Sequence, residues 1–176
     1  KTIFAIRKAR KLQFVLKDFG ENYLGEIVKE LKVNVDDSPQ KIALNLRERF
    51  GITEELQRKT KDSYKFFKLF REKLEEEKIF NFQLSMPLED ARGFALSDDL
   101  PKVVVVNSKD IIEARIFTLI HEFGHVLLGD TEISIPNFVD INKHERWCNE
   151  FASTFLFPPE MAKRIFEENN QDLVGY

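Results

Sequence analysis

Ile116-Phe-Thr-Leu-Ile-His121-Glu122-Phe-Gly-His125-Val-Leu-Leu128-Gly129 is the stretch on which the reading of the chain turns. At 3.6 residues per turn, His121 and His125 stand four apart on one face of a helix, where two imidazoles can grip a single ion. Glu122 falls beside that ion rather than on it. There it can take a proton from water held by a metal, whose pKa a catalytic zinc lowers to about 7. Ile116, Phe117, Leu119, Ile120, Phe123, Val126, Leu127 and Leu128 make the helix apolar nearly all round. It should therefore be buried, and unpaired histidines are seldom left in such a place. The competing reading is a plain core helix carrying two histidines; a bound metal would satisfy both. Gly124, mid-helix, costs about 1 kcal/mol relative to Ala. Something should pass close to the backbone there, and a facing helix that brings another ligand is one candidate.

A catalytic zinc usually takes three protein ligands and keeps a fourth position for water. The best source of the third is His144-Glu145-Arg-Trp-Cys148-Asn149-Glu150-Phe-Ala152-Ser-Thr-Phe-Leu156-Phe-Pro158-Pro159, a helical stretch begun near Asn142 and ended by the proline pair. Glu145, Cys148, Asn149, Ala152 and Leu156 share one face at spacings of three and four, and the small residues allow close approach of two helices. Glu145 is the chosen third ligand. Asn142 with Glu145 three residues on is also a capping-box pattern, so the acid has a purely structural alternative. Glu150, the rival acid, lies about 140° around the helix and reads as surface charge. His144 can serve as an oxyanion donor or as a solvent-facing residue at the helix start; the second is preferred. Cys148 reads as a small buried packing residue rather than a thiolate ligand. Arg115 either pairs with a carboxylate that holds the site or is a surface cation.

Arg115 to Gly129, followed by Glu145-Arg-Trp-Cys148-Asn149-Glu150-Phe-Ala152 and on to Pro158, resembles the ImmA/IrrE family of metallo-endopeptidases. The resemblance extends to Ser38–Gly51, to Arg92-Gly93-Phe94 and to Pro101–Asn107, about residues 38 to 163 in all. Carried over residue by residue, it makes His121, His125 and Glu145 the metal ligands and Glu122 the catalytic acid/base. Cys148 stands where the family usually has Ala and Phe157 where it has Met, both readable as packing changes. Relatives often carry a DNA-binding helix-turn-helix domain before the peptidase, so the resemblance also implies a possible upstream DNA-binding domain and a repressor as substrate.

With 176 residues the chain has room for one domain with a real core, or a domain plus a helical appendage. A net charge of −3 and a pI near 5.7 give no general attraction to nucleic acid or anionic membranes. No direct nucleic-acid contact by this segment is expected, and no membrane. The single cysteine and the lack of a signal-like or long apolar run make the cytoplasm the default compartment. Lys1 in place of Met suggests a piece of a longer protein. Residues 1–33 space Ile6, Ala9, Phe14, Leu16, Phe19, Leu24, Ile27, Val28 and Leu31 as in one or two amphipathic helices. Arg7-Lys-Ala-Arg-Lys11 on them is read as a solvated face. The expected division is a helical segment or connector over 1–37 and a metallopeptidase domain over 38–176.

Ser38-Pro39 predicts a helix from Pro39 to about Phe50 that stops at Gly51. A second helix over Lys61–Glu77 carries an aromatic stripe of Tyr64, Phe67 and Phe70, read as core. Ile79–Leu84 alternates as a strand, and Gly93–Leu96 and Lys102–Asn107 read as two more across a turn. The fold class is α+β: a small, mostly antiparallel sheet packed against a zincin-like helix, with additional N-terminal helices. Asn107 or Ser108 is expected to cap that helix and Gly129 to close it. Val103–Val106 is read as an edge strand that an extended peptide could join. The alternative is an interior strand buried on both faces.

These residues point to a zinc-dependent endopeptidase acting on a regulatory protein; manganese or iron would also fit the donors. Two other classes compete. A structural zinc site would normally be closed by four protein ligands rich in cysteine, which disfavours it. A non-catalytic interaction module that keeps the fold within a transcriptional regulator is the remaining alternative, because fold and motif do not prove turnover.

Overall fold

The computed structural model describes the backbone of residues 1–18, 25–130, 133–134 and 142–173. Phe19 and Leu24, two of the N-terminal apolar positions, lie outside the described residues. In chain order come α1 (Thr2–Asp18), α2 (Glu26–Glu30), α3 (Pro39–Arg49), α4 (Glu54–Lys59), α5 (Ser63–Glu76), β1 (Ile79–Leu84), β2 (Gly93–Leu96), β3 (Lys102–Asn107), α6 (Ile112–Leu128), β4 (Ile133–Ser134), α7 (Lys143–Leu156) and α8 (Pro159–Leu173). The local signals explain several of these bounds. Ser38 accepts a hydrogen bond from the Lys41 amide, with Pro39 preset for the first turn of α3. Asp62 caps α5 through the amides of Tyr64 and Lys65. Tyr64 itself is exposed, so the aromatic stripe that reaches the core is Phe66, Phe67 and Phe70 rather than one that includes Tyr64.

The sheet is mixed, in the order β1-β3-β2-β4. β1 runs parallel to β3 with Phe80 opposite Val103; β2 runs antiparallel to β3 with Phe94 opposite Val105, and β4 antiparallel to β2. The edge placement expected of Val103–Val106 is thus corrected: β3 is flanked by β1 and β2. Its four valines are each 0–2% exposed, because alternate side chains enter different cores. Val104 and Val106 join the main core with Ala95, Leu119, Phe123 and Phe151, whereas Val103 and Val105 meet Ala5, Ala9, Met86 and Phe94. A strand covered on both faces has no use for polar alternation, and a run of valines results. α1 supplies the second cover. Its small residues Ala5 and Ala9 face the sheet, and Gln13 Nε2 donates to the Pro101 carbonyl at 2.9 Å. On the other face α6 lies across β2 and β3, α5 lies against β1 and α6, and α7 is sandwiched between α6 and α3.

β1 and β2 are not neighbours, so the chain crosses over between them, and Asn107 secures that crossing. Its Nδ2 donates to the Met86 and Ala91 carbonyls (3.1 and 2.9 Å), while its Oδ1 accepts from the Met86 and Lys109 amides (3.2 and 3.1 Å). Fully occupied there, Asn107 does not cap α6, and neither does Ser108. The N-cap is Ile111, which makes no side-chain cap bond. Asp110 organises the helix start instead: its Oδ1 accepts from the Ile111 amide, its Oδ2 pairs with Arg92 at 2.6 Å, and its carbonyl accepts from Arg115 Nε at 2.8 Å. At the other end Gly129 takes the left-handed conformation (φ 77°) and closes α6 as expected.

Candidate metal centre

α6 is buried from Leu119 to Leu127, which carries His121, Glu122 and His125 into the interior at 5%, 0% and 0% exposure. Phe117, one turn before, stacks its ring on His121 with centroids 6.2 Å apart. The antiparallel α7 crosses close enough that a Cβ on Gly124 would lie 3.0 Å from Cys148 Sγ and 3.3 Å from its Cβ. This is the close approach that the mid-helix glycine predicts. Cys148 is the buried packing residue behind it.

That approach delivers Glu145. The Nε2 atoms of His121 and His125 are 3.2 Å apart, His121 Nε2 is 3.2 Å from Glu145 Oε2, and His125 Nε2 is 3.2 Å from Glu145 Oε1. Among the described residues His121, His125 and Glu145 form one cluster of metal-ligating side chains. The donor set also fits an ion in size. Bonds of about 2.0–2.1 Å spread tetrahedrally place donor atoms about 3.3 Å apart. Burial works against the charge of Glu145, yet hydrogen bonds from His121 and His125, then their charge, hold its carboxyl well below the ordinary carboxylate range. It is therefore ionised, as a metal ligand must be. Glu145 is also the most exposed of the three, at 23% of its side chain, so the cluster meets solvent on that side. The helix-cap alternative is satisfied separately: Asn142 Oδ1 accepts from the Glu145 amide at 2.8 Å, which leaves the carboxylate to the imidazoles.

The other candidates lie elsewhere. Glu150 points away and accepts a hydrogen bond from Gln40 on α3. Among the described residues Arg115 pairs with no carboxylate, nor is it a free surface cation: besides the Asp110 carbonyl it donates to Gln83 Oε1 at 3.1 Å, tying α6 to β1. His144 was expected to face solvent, but is only 38% exposed and pairs through Nδ1 with Asp130 Oδ2.

Two neighbours of the site escape a motif reading. Gly93 on β2 lies against Glu122: a Cβ there would be 3.1 Å from Glu122 Oε1, 2.5 Å from Thr118 Cγ2 and 2.7 Å from the Val105 carbonyl. A glycine opening a strand gives no hint of what it faces. Asp130 follows the closing glycine of α6, and its role needs the fold to bring α7 back. In chemical terms the assembly is a largely buried group of two histidines and one carboxylate that could hold a metal ion, with the Glu122 carboxylate outside that group.

No curated protein and no solved structure matches the chain closely enough to inform this site. A family does: residues 74–174 match the IrrE N-terminal-like domain family, Peptidase M78. The match starts later than the motif reading of 38 and runs past 163. It takes in the end of α5, the whole sheet, α6, α7 and all of α8. Covering more than half of the chain and every residue of the cluster, it shows that this protein belongs to the IrrE N-terminal-like family of metallopeptidase domains.

Proposed function

We propose that the protein is a zinc-dependent endopeptidase that cleaves a regulatory protein, with a transcriptional repressor as the substrate class. The observation that carries this reading is Glu122, wholly buried and next to the His121–His125–Glu145 cluster without being part of it. In this reading such a carboxylate serves proton transfer, not ligation. Zinc is the proposed ion because two imidazoles and one carboxylate with an open position suit it; manganese and iron accept the same donors. When bound, zinc polarises a carbonyl and makes its water a nucleophile near neutral pH.

The chain's own residues do the rest. His121, His125 and Glu145 hold the ion, and Glu122 takes the proton from the attacking water and returns it to the leaving amine. The apolar wall of α6 keeps bulk water from the base. The repressor is proposed from the family resemblance; a net charge of −3 gives the chain itself no general attraction to nucleic acid. On the same reading residues 38–176 are the peptidase domain and residues 1–37 a helical segment fastened to it through α1. The cytoplasm is the proposed compartment. No helix among the described residues is long and apolar enough to cross a membrane.

The test is Glu122→Gln in the full chain, with zinc and candidate repressors, watching for a discrete cleavage product. General acid–base catalysis contributes about 10²–10⁴-fold, so cleavage should fall by that factor while zinc stays bound. Cleavage unchanged in the variant would contradict the mechanism. Cleavage absent from the parent, with regulation intact in both proteins, would establish the interaction module instead.

A further inference from the structure

We propose that Asp130 and His144 form a latch that positions Glu145 before any metal binds; this rests on the reading of His121, His125 and Glu145 as a metal centre. Both residues are placed against their own helices. Asp130 puts a negative charge just past the C-terminus of α6, and His144 puts a basic group in the first turn of α7. The helix dipole favours the opposite choice at each end. Local helix chemistry does not explain either residue, whereas their pairing explains both.

The connections close a ring around the site. The Asp130 amide donates to the carbonyl of His125 at 2.9 Å, its carboxylate pairs with His144 Nδ1, and His144 is bonded directly to Glu145. One ligand's backbone is thereby joined to another ligand's neighbour by a route that does not pass through the ion. Glu145 needs such a tie. It is the third residue of α7, in the turn most prone to fray, and it lies 20 positions after His125 in the chain. Asn142 fixes its amide, and the latch fixes the turn against the end of α6. Asp130 and His144 are positioning residues, and neither is among the ligand cluster.

The experiment measures zinc affinity by competition with a chromophoric chelator, and the melting temperature of the metal-free chain, for Asp130→Ala, His144→Ala, the double variant, Asp130→Asn and His144→Asn. Loss of groups that orient metal ligands typically costs 10–100-fold in affinity. Each Ala variant should weaken zinc by about that factor, and the double variant by no more than the worse single one. The Asn variants, which keep a hydrogen-bonding atom near the lost one, should recover most of it. Both side chains are partly exposed, so the metal-free melting temperature should stay that of the parent. A parent that binds zinc with Ala variants within about twofold of it, or losses that simply add, overturns the latch alone. A parent that binds no zinc overturns the metal-centre reading and the latch together.

Discussion

Gly93 and Glu122 make the sharpest case at the scale of single residues. The strand can pass over the proposed base only because position 93 has no side chain, so Gly93→Ala would drive a methyl group into Thr118, the Val105 carbonyl and the Glu122 carboxylate. Overpacking of this kind costs about 1–3 kcal/mol. The expected result is a stability loss of that size in urea unfolding, with zinc retained and cleavage strongly reduced because Glu122 is displaced. Retained cleavage would show that Glu122 does not need its observed place. That His121 and His125 come together was legible in the sequence, because a spacing of four on a helix fixes which face a side chain takes wherever the helix lies. The contacts of Gly93, Asp130 and Arg115 were not. Each meets a residue on another element, and nothing in the local pattern says which element arrives.

Among elements, α6 and α7 set the cluster and β3 anchors α6. Gly124→Ala should push the two helices apart against Cys148 Sγ, moving Glu145 away from the imidazoles and weakening zinc. Cys148→Ala removes the nearer atom, so the double variant should bind zinc more tightly than Gly124→Ala alone; failure of that rescue would mean the helix approach is not what limits affinity. For β3, proline at Val104 or Val105 removes a ladder donor from a strand paired on both sides, and such a strand does not tolerate it. Loss of the cooperative unfolding transition is expected, and a folded variant would contradict the interior placement. Strand and helix bounds were readable where caps, prolines and alternation are local, as at Ser38, Pro39 and Asn142. The position of β3 in the sheet was not, since a run of four valines fits an apolar edge and a doubly covered centre equally until α1 is seen on the far face. The α6 cap was misjudged for a related reason: Asn107 has the right chemistry for a cap, but the crossing loop at Met86 and Ala91 claims it.

Taken as a whole molecule, the chain is a sheet sealed by α1 on one face and by a helical stack on the other, with the ligand cluster inside the stack at the crossing of α6 and α7. His121, Glu122 and His125 are buried there, and burying groups that can carry charge is costly unless they are paired or coordinate a metal. That makes metal content the most direct test. Reconstituted protein, dialysed and assayed by elemental analysis, should hold one zinc per chain, and at zinc a hundredfold above its dissociation constant gain about 2.7 kcal/mol of stability. His121→Ala, His125→Ala and Glu145→Gln should each lose the ion, while Glu150→Gln should keep it. Zinc lost from Glu150→Gln but kept in Glu145→Gln, or no stoichiometric metal in the parent at all, would contradict the account.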